Sequence, residues 1–536
     1  MTIVEAQPPR TPKTELHPTL PVVLRAAAER FGDRQLLVLP DHRLTFADAE
    51  ARSRLLARRL LAAGVGKGTR VAMHFPYSGD FLVAWLAVGR IGALVAPLST
   101  AYTPHEVASA LRRSDADVLL VPSRMMGRDE LAFLREAVPA LPADDTDLGG
   151  PLFLDELPYL RRIWVLDDDA LAGPAEVVDE WLLEAVEAEV MPADWIVLIQ
   201  TSGSTAEPKG VLHTHGAFLR RTLPAAAPPG PGTRVFLGMP FFWVGGVMAL
   251  GMALGAGTTL VCQERFEAGA ALDLIEQEGV VAIAGWLTLA DRLRRHPSFP
   301  GRRLPPIVGL STPAAGPPPA FVTPLGMTES MGPHLAPTHP RYGTDVPDDL
   351  RGSLGSSGPF YEHLLVDAET GAPIEGDGEG ELCIRGYAVT VGMYKRERED
   401  VFDPDGWYRT GDRVTRRDGL YFFTGRTTEM IKTHGANVAP PEVEAALETL
   451  AGVKHAFVLG IPHPDLEEQV AAVVVPREGA ELSVDELRSG AAGLLSSYKV
   501  PRVVLLMGED EVPWLGTGKP DKRAMRPLLE ALAARA

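Results

Sequence analysis

Cysteine is nearly missing from this chain. Cys262 and Cys383 are the only two, too few and too far apart for a disulfide framework or a zinc site. Positive charge is also in short supply: 52 Lys and Arg stand against 70 Asp and Glu, a net charge of −18. Nucleic acid or an anionic membrane would be repelled over most of such a surface. The segment from Met1 to His17 has no apolar run of the kind a signal peptide needs, so residues 1–18 read as a loose tail. Together these gaps favour a cytoplasmic protein. One uncharged stretch, Val235 to Cys262, is long enough to span a bilayer. Its six glycines and Pro240 instead predict a strand, a turn, a short buried helix and a second strand. What the chain does have is apolar bulk, 46% hydrophobic residues over a length of 536, enough for a large core and for two or more domains.

The stretch with the most chemistry is Leu198-Ile-Gln-Thr-Ser-Gly-Ser-Thr-Ala-Glu-Pro-Lys-Gly-Val-Leu-His213. An apolar strand, Trp195 to Ile199, runs into a loop of hydroxyls and glycines and then a lysine. Gly203 and Gly210 would let the backbone bend toward a ligand, while Thr201, Ser202, Ser204 and Thr205 add hydroxyl donors to the loop N–H groups and Lys209 adds charge. That is a way to hold phosphate. It is not a Walker A loop, because Pro208 precedes Lys209 and Gly210 follows it. On composition alone the stretch also fits a plain surface turn.

The order of residues resembles the signature of the adenylate-forming superfamily, which comprises acyl- and aryl-CoA synthetases, peptide-synthetase adenylation domains and luciferases. Other stretches fit the same family: Met239-Pro-Phe-Phe-Trp-Val-Gly-Gly246, Leu325-Gly-Met-Thr-Glu329, Trp407-Tyr-Arg-Thr-Gly-Asp412, Tyr421 to Arg426, Tyr498-Lys-Val-Pro501 and Gly516-Thr-Gly-Lys-Pro520. The resemblance covers roughly residues 20 to 530. It implies ATP, Mg2+ and, as co-substrate, CoA. By that resemblance Thr328 contacts the α-phosphate and Glu329 ligates Mg2+, a hard cation suited to carboxylate oxygen. Asp412 would bond the ribose hydroxyls, Arg426 ribose or phosphate, and Leu325 stands where an aromatic usually meets adenine. Trp243, which reads equally well as a core aromatic, and Gly309 would border the acid, as would the segment around Trp286. Gly435 would sit beside the pantetheine channel, with Lys432 also on the CoA side. Thr428 falls at the hinge, and Lys519 would be catalytic with Lys209, Thr328 and Glu329. Three positions depart from the pattern: Ala206 where glycine is usual, Leu325, and Thr428. The Gly309-to-Pro319 stretch, with three consecutive prolines, also implies that the helix usual before Thr328 is shortened or lost.

Strand and helix patterns alternate along the chain. A capping-box pattern at Thr45 opens a helix with Leu55, Leu56, Leu60 and Leu61 at helical spacing. Strands at 70–76, 93–98 and 117–121 alternate with helices at 80–91 and 105–113, which predicts a parallel sheet with helices on its faces. Within 123–193, Leu160 to Asp167 reads as a strand and Glu176 to Glu189 as an acidic helix. The expectation is an α/β protein: a large N-terminal domain, 19–427, of parallel α/β subdomains plus a β-rich subdomain, then a small mobile α+β domain, 428–536.

Three functions remain open on the sequence. One is an acyl- or aryl-CoA ligase that makes an acyl-adenylate, releases pyrophosphate and then AMP, and belongs to fatty acid metabolism or a similar use of acids. A free acceptor is favoured because no carrier-domain serine motif follows Lys519. A second is an adenylate-forming enzyme with another acceptor, including a diazotase that activates nitrite for an aromatic amine. The third is a nucleotide-binding sensor or scaffold without catalysis. A homodimer is compatible with all three.

Overall fold

The computed structural model describes residues 18–167, 176–201, 208–223, 231–285, 287–307, 320–321, 325–426, 430–433, 435–509, 511–513 and 520–535. Its largest sheet runs, edge to edge, through Gly392–Met393, Lys209–Thr214, Trp195–Thr201, Leu94–Pro97, Arg70–Met73, Val118–Val121 and Arg162–Val165. The strands from Trp195–Thr201 to Arg162–Val165 are parallel, whereas Lys209–Thr214 returns antiparallel beside Trp195–Thr201. Continuous apolar strands such as Val118-Leu-Leu-Val121 are what a sheet covered on both faces requires, and each residue of that strand is buried.

The helix Gly79–Arg90 lies in the main core with every residue buried. It starts at Ser78, whose hydroxyl accepts the Phe81 N–H. Its last residue, Arg90, is charged yet fully buried, and it bonds Glu187 at 2.6 Å, Glu50 at 2.8 Å and Ser53 at 2.9 Å. The next helix, Pro104–Arg113, begins with a capping box between Thr103 and Glu106. Its far end touches the central sheet: Gln200 Nε2 donates to Ala110 O at 3.0 Å, and Arg113 donates to Gln200 Oε1 at 3.1 Å.

A second sheet, Ala282–Ala284, Arg234–Leu237, Thr259–Val261, Gln35–Val38 and Arg43–Thr45, is parallel except for its last pair. The uncharged stretch from Val235 resolves as expected into Arg234–Leu237, the helix Val244–Ala256 and Thr259–Val261. No helix among the described residues is long and apolar enough to cross a membrane. The helix Phe46–Ala62 carries the Thr45–Asp48 capping box read from sequence. Its apolar stripe is narrower than the leucine spacing suggests, since Leu56 and Leu60 are buried while Leu55 is exposed.

An antiparallel sheet of Glu362–Val366, Gly378–Arg385, Tyr408–Arg417 and Leu420–Arg426 forms the β-rich part. The C-terminal domain is built on a sheet of Ala436–Val438, Ile431–Thr433, Glu467–Pro476 and Val453–His463, with Val503–Leu506 added parallel to Glu467–Pro476. Alternation along Glu467–Pro476 sorts its side chains. Val470, Ala472 and Val474 join the helices Pro440–Glu448 and Val484–Leu494 on one face, while Ala471, Val473 and Val475 join Lys522–Ala533 on the other. The expected α/β architecture with a separate C-terminal domain is therefore present. The expected boundary at 427/428 falls outside the described residues.

Candidate active site

The chain closes a short antiparallel hairpin around the Ser/Thr/Gly stretch. Thr201 ends one strand, Lys209 begins the next, and the two are direct partners in the ladder. Ser202, Gly203, Ser204 and Thr205 lie outside the described residues, as do Gly309, Trp286, Thr428 and Lys519, and so does the side chain of Arg426. Lys209 is the first residue of the returning strand. Gly210 does not supply a bend. It pairs with Gln200 inside the strand, and a Cβ there would press on Leu198 at 3.1 Å and Tyr394 at 3.3 Å, so the position needs a small residue for packing.

Thr328, Glu329 and Ser330 form one 3-10 turn, and each of its carbonyls is held. His213 Nε2 donates to Thr328 O at 2.7 Å, the Thr390 N–H to Glu329 O at 2.6 Å, and the Tyr361 hydroxyl to Ser330 O at 2.6 Å. The Glu329 carboxylate is buried and accepts from the Tyr408 hydroxyl at 2.9 Å. Thr390 also donates through Oγ1 to Leu212 O at 2.7 Å, which ties the turn to the Lys209–Thr214 strand. The turn is thus clamped between the strand that starts at Lys209 and the Tyr408–Arg417 strand that carries Asp412.

Asp412 is buried within that strand and pairs with Arg426 across the ladder, so it is not a turn aspartate. Just before it, at Thr410 and Gly411, the ladder to Gly378–Arg385 slips register between Glu381 and Cys383. Gly411 takes φ +74°, its N–H reaches Glu381 Oε1 at 3.2 Å, and Thr410 Oγ1 accepts the Asp412 N–H at 3.0 Å. A bulge of this kind re-aims the next side chain.

Burial sets the electrostatics of the histidines. His213 is pushed down to about 4 by burial, against the opposing Thr328 hydrogen bond. Burial also lowers His215 and His334 to about 4 each, and His363 well below its ordinary value. All four are neutral at pH 7, and His213 must carry its proton on Nε2 because its partner is a carbonyl. Since the unfolded chain takes up protons near 6.5 that the folded chain refuses, stability is expected to be full above about pH 6.5 and to fall toward pH 4. His213→Gln keeps an N–H donor without a titrating ring. Its melting temperature is expected to fall less steeply between pH 7 and 4.5 than that of the unsubstituted chain, and superimposable curves would contradict the assignment.

The other expected residues that the structure describes sit on separate elements. Leu325 packs on the core of the β-rich sheet, beside Leu335 and Leu354. Trp243 caps the N-terminus of Val244–Ala256, half-buried and edge-on to Phe242 at 5.6 Å. The same helix packs against Gly332, just past the Thr328–Ser330 turn, where a Cβ would strike Met248. Gly435 turns the hairpin Ile431–Thr433 to Ala436–Val438 with φ +75°, a reason for glycine independent of any channel. Lys432 is exposed, its ammonium 5.5 Å from the Phe423 ring. Tyr408, Thr390, Tyr361 and His213 escaped the sequence reading as functional residues. Tyr408 and His213 lay inside quoted motifs, but nothing in one sequence marks a hydroxyl or ring that reaches across the fold. A cleft of about 1270 Å³ opens on the C-terminal domain beside His463, Arg488 and Arg502, and among the described residues none of those expected to meet the nucleotide lines it.

Residues 24–394 match the AMP-binding enzyme family, and residues 442–519 match the AMP-binding enzyme C-terminal domain. The chain belongs to the AMP-binding enzyme family. Its relatives include an oxalate–CoA ligase of Arabidopsis thaliana, 30% identical over 94% of this chain and 97% of that protein. A mitochondrial medium-chain acyl-CoA ligase of Bos taurus is 26% identical over 95% of this chain and 87% of that protein. Among solved structures, the amide bond synthetase McbA from Marinactinospora thermotolerans shares the fold with a TM-score of 0.76 at 24% identity, over 94% of this chain and 99% of that one. As an AMP-binding enzyme with CoA ligases among its relatives, the chain is an ATP-dependent ligase of the AMP-forming, acid–thiol type. The inactive sensor reading is set aside.

Proposed function

We propose that this AMP-binding enzyme activates a carboxylic acid as its adenylate and passes the acyl group to the thiol of CoA. The observation that supports this best is the Thr328–Ser330 turn, fixed at all three carbonyls between the strand bearing Lys209 and the strand bearing Asp412. A carboxylate oxygen of the acid attacks the α-phosphorus of ATP, the bond to the β-phosphate oxygen breaks, and pyrophosphate leaves. The thiol sulfur then attacks the acyl carbonyl and AMP departs. No covalent bond to the protein is needed. Lys209, Lys519, the Thr328 hydroxyl and the loop N–H groups stabilise the charge that develops on the phosphates. Asp412 accepts from the ribose hydroxyls. Among the described residues no group of three or more His, Cys, Asp or Glu could hold a metal, and a single carboxylate, Glu329, suits Mg2+ that takes its other ligands from phosphate and water. When bound, Mg2+ neutralises phosphate charge.

Phe241 fills a core position beside Phe81 and Tyr77, Phe242 and Trp243 are both half-buried, and Trp243, at the N-terminus of the helix Val244–Ala256, is assigned to the acid site by its place in the Pro-Phe-Phe-Trp motif. Trp243→Ala is expected to change the preferred acid or its KM at least about tenfold, while KM for ATP moves little. Lowered thermal stability with the same acid preference would return Trp243 to the core. The experiment for the function as a whole is a panel of aliphatic, aryl and dicarboxylic acids plus nitrite, each scored for acid-dependent exchange of labelled pyrophosphate into ATP. AMP release with and without CoA, or with an amine, identifies the acceptor. The fold shared with an amide bond synthetase keeps a nitrogen acceptor in the comparison; AMP release that needs an amine and ignores CoA would overturn the thioester reading.

A further inference from the structure

One buried cation joins the two domains. Lys499, just after the helix Val484–Leu494, donates to Glu106 Oε1 and to Glu442 Oε1, both at 2.7 Å, and all three side chains are almost wholly buried. Glu106 belongs to the capping box of Pro104–Arg113 in the large domain, and its other oxygen accepts from Ser496 at 2.6 Å and from the Thr103 N–H at 2.9 Å. Thr103 Oγ1 in turn donates to Leu494 O at 3.3 Å. Burial opposes the Lys499 charge, but Tyr498, Glu442 and Glu106 outweigh it and raise the ammonium's pKa. Glu442 Oε2 is buried with no hydrogen-bond partner among the described residues.

The face so docked is the one that bears Pro440–Glu448 and Val484–Leu494. Lys522–Ala533, which starts three residues after Lys519, packs on the opposite face of the same sheet. The docked helix Pro104–Arg113 is bonded through Ala110 and Arg113 to Gln200, the residue before Thr201. The Gly435 hairpin lies beside the Leu420–Arg426 strand, with Lys432 over Phe423. We infer that Glu106, Lys499 and Glu442 are positioning residues that hold the C-terminal domain in the orientation serving thiol transfer, with the face that carries Lys522–Ala533 left undocked. This rests on the two-step reading above, in which one domain face serves each step.

The test uses the full chain. Lys499→Met removes the cation, and the triple variant Glu106→Gln, Lys499→Met, Glu442→Gln removes all three charges so that no lone buried carboxylate can unfold it. Lys454→Met, which breaks an exposed pair with Glu509, is the control. Amide hydrogen exchange in 104–113 and 494–502 is expected to accelerate about tenfold in both latch variants and not in the control. With an acid that supports pyrophosphate exchange, thioester formation from supplied acyl-AMP and CoA is expected to fall by about tenfold while pyrophosphate exchange holds or rises. Lys499→Arg, which can still bridge two carboxylates, is expected to restore both readouts. Unchanged hydrogen exchange would show that the contact does not hold the domain, and equal losses in the two half-reactions would overturn the selectivity. If no acid or acceptor supports turnover, the two-step reading fails by itself, and the exchange measurement still decides the latch.

Discussion

Lys519→Ala is expected to slow acid-dependent exchange of pyrophosphate into ATP by about 10²- to 10³-fold, the loss typical of removing one preorganised stabiliser of transition-state charge. The same variant is expected to convert supplied acyl-AMP and CoA at a largely unchanged rate, because no phosphate is being expelled in that step. The fold gives this contrast a structural basis: the helix that follows Lys519 and the helices that dock on Pro104–Arg113 occupy opposite faces of one sheet. One rotation of such a unit can present one face or the other. Gly435→Leu is the mirror experiment, and the structure changes how it must be run. Gly435 sits at φ +75°, where any branched residue strains the backbone by about 1–2 kcal/mol. Gly435→Asn, whose side chain tolerates that conformation, separates the two effects. Thiol transfer lost with Asn as well as Leu speaks for a channel; loss with Leu alone speaks for the turn. Equal effects of Lys519→Ala on both half-reactions would refute the division of labour.

Glu329→Gln is expected to lower pyrophosphate exchange by about a hundredfold or more at ordinary Mg2+ and to raise the Mg2+ concentration needed for half-maximal rate. The fold should survive, since an amide oxygen can still accept from Tyr408, whose hydroxyl lies 2.9 Å from Glu329 Oε1. Tyr408→Phe removes the hydroxyl and leaves the carboxylate in place, so the metal requirement should shift less than in Glu329→Gln while melting temperature falls. A normal Mg2+ dependence in Glu329→Gln would remove that carboxylate from the metal's coordination.

Much of the fold was legible because its signals are local. The Thr45 capping box, the glycines that break 235–262 and the apolar run Val118 to Val121 each dictate structure within a few residues, and each took the form expected. The C-terminal sheet was readable only as a single strand at Val470 to Val475; its two-faced packing depends on partners up to thirty or more residues away. At the site, the sequence put Thr328, Glu329 and Asp412 into named roles but could not show what holds them. Tyr408, Thr390 and Tyr361 act across the fold, through contacts spanning 79, 178 and 31 positions for the bonds to Glu329, Leu212 and Ser330. Gly210 was misjudged for a different reason. A glycine in one sequence does not say whether it is needed for φ, for space or for a ligand, and only packing and backbone geometry separate the three. The Glu106–Lys499 pair, 393 positions apart, was invisible for want of any local pattern.

The central claim is that an acid oxygen becomes bonded to the α-phosphorus of ATP before the thiol arrives. It is tested most directly by offering an accepted acid labelled with heavy oxygen at both carboxylate positions, together with ATP and CoA, and weighing the products. Transfer of one heavy oxygen to AMP, with the other retained in the acyl-CoA, is the result expected of an acyl-adenylate. Label in inorganic phosphate with formation of ADP, or AMP that carries none, would contradict it.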